Sequence, residues 1–177
     1  MPMIMENNQD EAYVTLVSSD LYVVGAMVLG HSIRESGSTR RMICMVTTIS
    51  KDGAPSIAAD SIAALRELWE VRLIEPLDSG DESRLRLLGR LELGPTFAKI
   101  RLWSFTDLSK AVFLDADMLV IRNIDDLFDR EEFSACADVG WPDCFNSGLF
   151  VCRPSLATYH AILQLSETEG SFDGNNP

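Results

Sequence analysis

Two aspartates one residue apart, Asp115 and Asp117, are the first residues in this 177-residue chain whose types and spacing could do chemistry. They follow the apolar run 110–114, which reads KAVFL. Burying carboxylates is costly unless they are paired, hydrogen-bonded or bound to a metal. Residues i and i+2 of an extended segment project to the same side, so we expect both carboxylates to point at one place. Two such oxygen ligands suit Mg²⁺ or Mn²⁺ bound to a diphosphate, where the metal would neutralise charge on a phosphate leaving group.

Two other interpretations of this pair stand beside the metal site. In one, Asp115 caps the following turn and Asp117 is solvated. In the other, the chain is a phosphohydrolase of the haloacid dehalogenase type, in which the first aspartate is a nucleophile. That class normally carries the pair after its first strand and has Thr or Val where Leu119 stands here. The position of the pair at the mouth of a predicted parallel sheet favours the metal site.

Strands that alternate with helices must position the two aspartates. Strands are predicted at 12–17, 42–47, 71–76 and 110–115. Helices are predicted after the start signal SSD at 18–20 and over 56–69 and 96–108, the first with Tyr22, Ala26, Leu29 and Ile33 on one face. Later segments predict a short helix at 124–129, strands at 133–138 and 149–154, and a helix at 155–170. The alternation predicts an α/β fold with a mostly parallel sheet flanked by helices.

Polar residues also follow the first predicted strand. Ser18 and Ser19 come directly after it, as Asp115 and Asp117 come after the fourth. In open α/β sheets, ligands bind beyond the carboxyl ends of the strands. We therefore expect both groups to line one crevice.

Other side chains could serve the same crevice, although each has an ordinary alternative. Lys99 and Arg90 could meet a phosphate, while a lone cation is usually solvated. Tyr22 could stack its ring on a base or pack in the core. Asn146 and Ser147 precede a glycine that permits close backbone approach, or they form a plain turn.

Charge and hydropathy exclude some functional classes. Fifteen basic against twenty-seven acidic residues give a net charge of −12, which argues against a nucleic-acid partner because phosphate binding needs clustered Lys and Arg. No apolar run approaches the roughly 18 residues of a membrane span, and residues 1–11 lack the features of a signal peptide. We predict a flexible extension at 1–11 ahead of one domain at 12–177.

The cysteines indicate where the chain resides. Cys44, Cys136, Cys144 and Cys152 form no CxxC pair, and each lies within or beside an apolar stretch. We expect buried thiols rather than disulfides or a zinc site. A cytoplasmic protein with no membrane partner fits this pattern.

Four stretches together resemble the glycogenins, within retaining glycosyltransferase family 8. They read AYVTLVSSDLYVVGAMVLGHSI, LELGPTFAKIRLW, SKAVFLDADMLVIRNIDDLFDREEFSA and GWPDCFNSGLFVCRPS…GSFDG, and the likeness spans 12–174. It implies a GT-A fold, whose Rossmann-like sheet binds UDP-glucose with Mn²⁺. The implied reaction moves glucose to a tyrosine hydroxyl and then to a short glucan, which primes glycogen synthesis. Plant galactinol synthases share the D-x-D strand and the FN-[SA]-G stretch but match the intervening segments less well.

The resemblance also implies roles for individual residues. It places the metal on Asp115 and Asp117, the ribose on Ala116, the uridine on Leu16, Ser18, Ser19 and Tyr22, the donor on Arg90 and Lys99, and the transferred sugar on Asn146, Ser147 and Asp173. The family more often has Thr and Asn where Ser18 and Ser19 stand, which would cost a hydrogen bond.

The end of the sequence departs from the family pattern. Asn176 stands where the family has an acidic residue implicated in transfer, so the catalytic residue stays unassigned. The family's histidine metal ligand and its acceptor tyrosine have no counterpart here. We therefore expect an incomplete GT-A domain. The resemblance implies a glucan acceptor and either a second copy of the chain or glycogen synthase as partners. The alternative is an inactive form that binds only a UDP-sugar or a full-length partner.

Overall fold

The computed structural model describes residues 10–47, 56–75, 98–139 and 144–168. Its elements in chain order are β1 (Glu11–Val17), α1 (Leu21–Glu35), β2 (Arg41–Thr47), α2 (Ala59–Arg66), β3 (Glu70–Ile74), a first 3₁₀ helix (Ala98–Ser104), β4 (Lys110–Leu114), a second 3₁₀ helix (Asp125–Asp129), β5 (Ser134–Ala137), β6 (Phe145–Cys152) and α3 (Leu156–Thr168). Of the helices in these four ranges, none is long and apolar enough to cross a membrane.

The six strands form one sheet in the order β3-β2-β1-β4-β6-β5. β3, β2, β1 and β4 are parallel, β6 is antiparallel to β4, and β5 is antiparallel to β6. The predicted mostly parallel α/β sheet is therefore confirmed. Because β1 and β4 are parallel neighbours, with Val14 opposite Phe113, their carboxyl ends reach the same edge. That edge carries Ser18 and Asp115.

Alternate residues of the central strands build a core on each face of the sheet. Tyr13, Cys44 and Val112 belong to the cluster that also contains Ala26 and Leu29 of α1 and Trp69. Val14, Ile43 and Phe113 belong to the cluster that contains Leu102 and Trp103 of the first 3₁₀ helix and Tyr159 of α3. Successive side chains of a strand point to opposite faces, so two layers of helices are held by the same strands.

The first helix differs from its prediction at its beginning. Tyr22 is 48% exposed, and Val23 takes its place in the buried stripe with Ala26 and Leu29. Asp20 makes no side-chain capping bond to α1. Its carboxylate instead accepts a hydrogen bond from the backbone N–H of Ala58, at 3.1 Å, and so serves the start of α2. The start signal was correct for position, but its side chain serves another helix.

Three other predicted elements differ in type or length. The helix predicted at 96–108 is a seven-residue 3₁₀ helix, Ala98–Ser104, and that predicted at 56–69 is limited to Ala59–Arg66. The strand predicted at 149–154 begins at Phe145, because β5 pairs with its first residues across a β-bulge. The FNSG stretch is therefore strand rather than a turn.

Two of the four cysteines were predicted wrongly as buried. All four are free thiols, with Cys44 and Cys152 buried, whereas Cys136 and Cys144 are exposed. The exposed pair lies on or beside β5, the edge strand of the sheet, where Ala135 and Ala137 are exposed as well. Apolar neighbours in sequence do not bury a side chain on an edge strand that no other element of the described residues covers.

Candidate functional site

A cleft opens at the carboxyl ends of β1 and β4. Its volume is about 170 Å³, and it is lined by Leu16, Ser18, Tyr22, Lys99, Asp115, Ala116 and Asp117. Each of these residues was singled out from the sequence. Ligand pockets usually measure roughly 300–1,000 Å³, so the described residues provide only part of the space that a nucleotide sugar needs.

Lys99 and Asp115, which both line the cleft, form an ion pair. The Lys99 Nζ lies 2.7 Å from Asp115 Oδ1, and the side chains are 13% and 36% exposed. The same ammonium donates to the carbonyl oxygen of Ser147 at 3.2 Å and to its hydroxyl at 3.3 Å. It also lies 5.0 Å from the ring centroid of Phe113. Lys99 therefore links the first 3₁₀ helix to the ends of both β4 and β6.

The two aspartates reach the cleft through a turn rather than through the pleat of a strand. β4 ends at Leu114, and the N–H of Met118 donates to the carbonyl oxygen of Asp115 at 3.1 Å. Ala116 between the aspartates is 4% exposed, whereas Asp117 is exposed. The extended-strand argument was therefore wrong about the local geometry, although both carboxylates do line one cleft. The turn is closed by backbone groups, so the carboxylate of Asp115 remains available to Lys99.

β6 approaches Asp115 closely at Gly148. The N–H of Asp115 donates to the Gly148 carbonyl oxygen at 2.8 Å. A Cβ at position 148 would lie 3.2 Å from Asp115 Oδ2 and 2.8 Å from Asn146 Oδ1. The Asn146 side chain itself accepts a hydrogen bond from the Gly148 N–H at 2.8 Å. A residue without a side chain thus leaves room for the Asp115 carboxylate.

The remaining predicted residues have other positions. Ser147 contacts the site through its two hydrogen bonds with Lys99. Ser19 is half-buried, and its carbonyl oxygen accepts a hydrogen bond from the Tyr22 N–H at 3.1 Å. The predictions for Arg90, Asp173 and Asn176 lie outside the described residues.

A sequence profile for glycosyl transferase family 8 matches residues 13–168. The chain belongs to this family. It is 48% identical to human glycogenin-1 over 168 residues, which cover 94% of this chain and 46% of that protein. It is 42% identical to glycogenin-1 of Caenorhabditis elegans, covering 94% and 37%. A plant relative, inositol phosphorylceramide glucuronosyltransferase 1 of Arabidopsis thaliana, is 33% identical, covering 93% and 28%. This family 8 chain thus spans about half the length, or less, of the curated relatives that it matches.

Solved structures of glycosyltransferases share the fold of this family 8 chain. The galactosyltransferase LgtC, crystallised with donor and acceptor sugar analogues, superposes with a TM-score of 0.64 at 18% identity, covering 88% of this chain and 62% of that one. The glycosyltransferase GlyE of Streptococcus pneumoniae TIGR4 gives a TM-score of 0.60 at 15% identity, covering 94% and 41%. The predicted GT-A fold class is therefore confirmed.

The carboxylates of the cleft fit part of the ligand set of a divalent metal. Asp115 and Asp117 supply hard oxygen donors, which suit Mg²⁺ or Mn²⁺. Within the described ranges, no group of three or more His, Cys, Asp and Glu residues could hold a metal ion. Asp115 and Asp117 would supply two of the roughly six oxygen ligands that such an ion takes, and the ion would supply positive charge at the cleft.

Two residues next to the site were missed by the sequence interpretation. Gly25 and Ser32 of α1 both contact the segment that carries the aspartates. A signal for the first was present, because glycine inside a helix is unfavourable by about 1 kcal/mol relative to alanine and often marks close packing. Nothing in the sequence said what would pack there.

Proposed function

We propose that this chain is a glycogenin-like retaining glucosyltransferase that uses Mn²⁺ or Mg²⁺. It transfers glucose from UDP-glucose to a tyrosine hydroxyl and then to a short glucan, and so primes glycogen synthesis. The observation that carries the proposal is the cleft in which Lys99 and Asp115 form an ion pair beside Asp117. The 48% identity to human glycogenin-1 supports the choice of donor and acceptor.

The proposed binding roles are those that the resemblance implies, and seven of these residues, Leu16, Ser18, Tyr22, Lys99, Asp115, Ala116 and Asp117, line the cleft. Leu16, Ser18, Ser19 and Tyr22 bind the uridine, Ala116 lies against the ribose, Asp115 and Asp117 hold the metal, Arg90 and Lys99 meet the diphosphate, and Asn146, Ser147 and Asp173 hold the glucose. The exposure of Tyr22, 48%, supports its role because a half-exposed aromatic ring offers a face on which a base can stack.

The chemistry needs a stabilised leaving group. The bond between glucose C1 and the diphosphate oxygen breaks, a bond from C1 to the acceptor oxygen forms, and the proton of the acceptor hydroxyl passes to the departing phosphate of UDP. A bound metal would neutralise the charge that develops on the departing UDP. Lys99 adds a fixed positive charge at the same place, held by Asp115 and Ser147 before any substrate arrives. Such preorganised charge costs little rearrangement during the reaction.

The proposed partners are a glucan acceptor together with either a second copy of the chain or glycogen synthase. We place the reaction in the cytoplasm. Support comes from the four cysteines, all of them free thiols, since disulfides are rare in the reducing cytosol.

A melting experiment tests the donor site. At 100 times its dissociation constant, UDP-glucose with Mn²⁺ adds about 2.7 kcal/mol of stability, which is a rise in Tm of roughly 5–10 °C for a chain of this size. The Asp115→Asn/Asp117→Asn double variant should lose the rise. Asp126→Asn should keep it, because Asp126 is an exposed acid outside the cleft.

The outcomes separate the proposal from its alternatives. A rise in Tm that needs Mn²⁺, together with glucose transfer detected by mass spectrometry, supports the transferase. A rise without transfer favours the binding-only form. No rise in the unaltered chain contradicts the proposed donor site.

A further inference from the structure

Helix α1 approaches the turn between the two aspartates with no side chain in between. A Cβ built on Gly25 would lie 2.5 Å from the carbonyl oxygen of Ala116, 3.3 Å from its carbonyl carbon and 3.8 Å from the backbone nitrogen of Asp117. Real Cβ atoms essentially never come within 3.0 Å of another heavy atom. The neighbour here is backbone rather than the end of a flexible side chain. Any other residue at position 25 would therefore displace the peptide that joins Asp115 to Asp117.

The same face of α1 makes a second contact with the segment that carries the aspartates, two helical turns after Gly25. Ser32 lies seven residues after Gly25, which places it on the same side of the helix about 10 Å away. Its hydroxyl oxygen accepts a hydrogen bond from the Val120 N–H at 3.0 Å, and the hydroxyl donates to the carbonyl oxygen of Leu29 at 2.7 Å. Ser32 is 7% exposed. α1 therefore positions residues 116–120 at both ends.

The opposite side of the turn is fixed by β6. Asp115 donates its backbone N–H to Gly148, and its carboxylate is paired with Lys99. The turn is thus held between α1 and β6. A change in its distance from α1 cannot be absorbed by moving the whole turn, so it must alter the placement of Asp117 relative to Asp115.

We propose that Gly25 is a positioning residue for the donor site, acting through the Ala116 carbonyl group, and that Ser32 fixes the other end of the same segment. By admitting no side chain, Gly25 sets the distance between α1 and the turn, and with it the geometry of the two carboxylates toward the metal and diphosphate. This inference rests on the proposed function of Asp115 and Asp117.

Gly25→Ala tests the inference, with Gly30→Ala as its matched control. Both glycines lie in α1, and both substitutions meet a close neighbour. A Cβ at Gly30 would lie 2.5 Å from Leu68 Cδ2 and 2.7 Å from Trp69 Nε1, away from the aspartates. Two readouts apply to each full-length variant. Backbone amide shifts in ¹H–¹⁵N spectra report the turn itself, and calorimetric titration with UDP-glucose in the presence of Mn²⁺ reports the site.

In Gly25→Ala, we expect the amide resonances of residues 116–118 to shift and the Kd to rise about tenfold or more, since misplacement on the ångström scale is costly at such sites. In Gly30→Ala, the shifts should cluster near Trp69, and the Kd of the folded protein should stay within about twofold, because the site geometry is kept. Ser32→Ala should perturb the Val120 amide and weaken binding in the same direction. If Gly25→Ala does not fold, the measurements on Ser32→Ala test whether α1 positions this segment.

Unchanged amides at 116–118 in Gly25→Ala would overturn the inference, as would an equal loss of affinity in Gly30→Ala. If the unaltered chain binds no UDP-glucose, the proposed function fails. In that case, amide shifts confined to the turn in Gly25→Ala would still support its positioning role.

Discussion

Single residues at this site have their surroundings set by partners distant in sequence. The Lys99 ammonium is held by Asp115 and Ser147, so its charge is fixed before a phosphate is present. Gly148 leaves the space that the Asp115 carboxylate occupies. Lys99 therefore stabilises Asp115 in the free protein, and in the proposed complex it would have to share Asp115 with a metal ion. The motif supplies the charges, and the neighbours of each charge decide where it points.

Burial makes one thiol a source of pH-dependent stability. Burial raises the pKa of Cys44 from 9.0 to about 12. Because the folded pKa lies above the unfolded one, the thiol's contribution is complete below pH 9.0 and is lost as the pH rises from 9.0 toward about 12. We expect Cys44→Ala to be less stable than the unaltered chain at neutral pH. Above pH 9.0 its free energy of unfolding should fall less steeply with pH, and the two slopes should differ by up to about 1.4 kcal/mol per pH unit.

Urea unfolding across this alkaline range measures the effect. Burial also raises the pKa of Cys152, with Glu132 adding to the rise, so part of the slope should remain in Cys44→Ala. Cys136→Ala is the matched control, because Cys136 is exposed and its loss should leave the slope unchanged. Equal slopes in the unaltered chain and in Cys44→Ala would contradict the prediction.

The elements that the sequence predicted well are those whose apolar pattern has one explanation. β1 and β4 are continuous apolar runs in a sheet covered on both faces, and each was placed within one residue. The helix predicted at 96–108 is a 3₁₀ helix instead, although two of its buried residues, Ala98 and Leu102, have the i, i+4 spacing of an α-helix. Its end differs because the Phe105 N–H bonds to Leu102, three residues back.

Part of the candidate site could likewise be predicted from the sequence, and part could not. The rule that ligands bind at strand carboxyl ends brought Ser18 and Asp115 to one cleft, since it depends only on strand direction. The capping of Ala58 by Asp20 and the approach of Gly25 to Ala116 were not predictable. Both are contacts between segments far apart along the chain, and neither residue type specifies its partner.

A partly buried hydrogen bond ties the second 3₁₀ helix to β1. The Tyr13 hydroxyl donates to Asp125 Oδ1 at 2.7 Å, and the Tyr13 ring packs edge-on against Phe128 at 4.9 Å between centroids. Tyr13→Phe keeps the ring contact and removes the bond. Because this substitution removes a hydrogen bond to a charged but partly solvated acceptor, we expect the free energy of unfolding to fall by about 1–2 kcal/mol. The corresponding fall in Tm is roughly 2–8 °C.

Calorimetric melting measures this loss. Tyr22→Phe is the control, because the same hydroxyl is removed from a side chain that is 48% exposed, and its Tm should not change. Equal effects of the two substitutions would show that the Tyr13–Asp125 bond does not stabilise the fold.

At the scale of the whole molecule, the sheet joins two hydrophobic layers, which have no buried residue in common among the residues that the structure describes. One layer contains Trp69, and the other contains Trp103. Neighbouring residues of the same strand alternate between the layers, as Val14 and Tyr13 do on β1. Neither layer can therefore lose its packing without disturbing the strand that the other depends on. This connection predicts one cooperative unfolding unit for the described part of the chain.

Each layer carries its own fluorescent probe, so the prediction can be tested directly. Trp103→Phe/Trp141→Phe leaves Trp69 as the reporter, and Trp69→Phe/Trp141→Phe leaves Trp103. Introducing Val14→Ala into each background should lower the free energy of unfolding by about 2–3 kcal/mol, because apolar burial is lost and a cavity forms in the Trp103 layer. We expect both reporters to show the same fall in Tm, roughly 4–12 °C.

Val112→Ala is the reciprocal change, because Val112 lies in the Trp69 layer on β4. It should also lower both midpoints equally, by a similar amount. A shift seen only by the reporter on the substituted face would mean that the layers unfold separately. The cleft at the ends of β1 and β4 would then lose its support from α1 and from the first 3₁₀ helix at different temperatures. Coincident transitions would instead mean that both layers unfold in one step, so that either tryptophan reports the stability of the unit that carries the cleft.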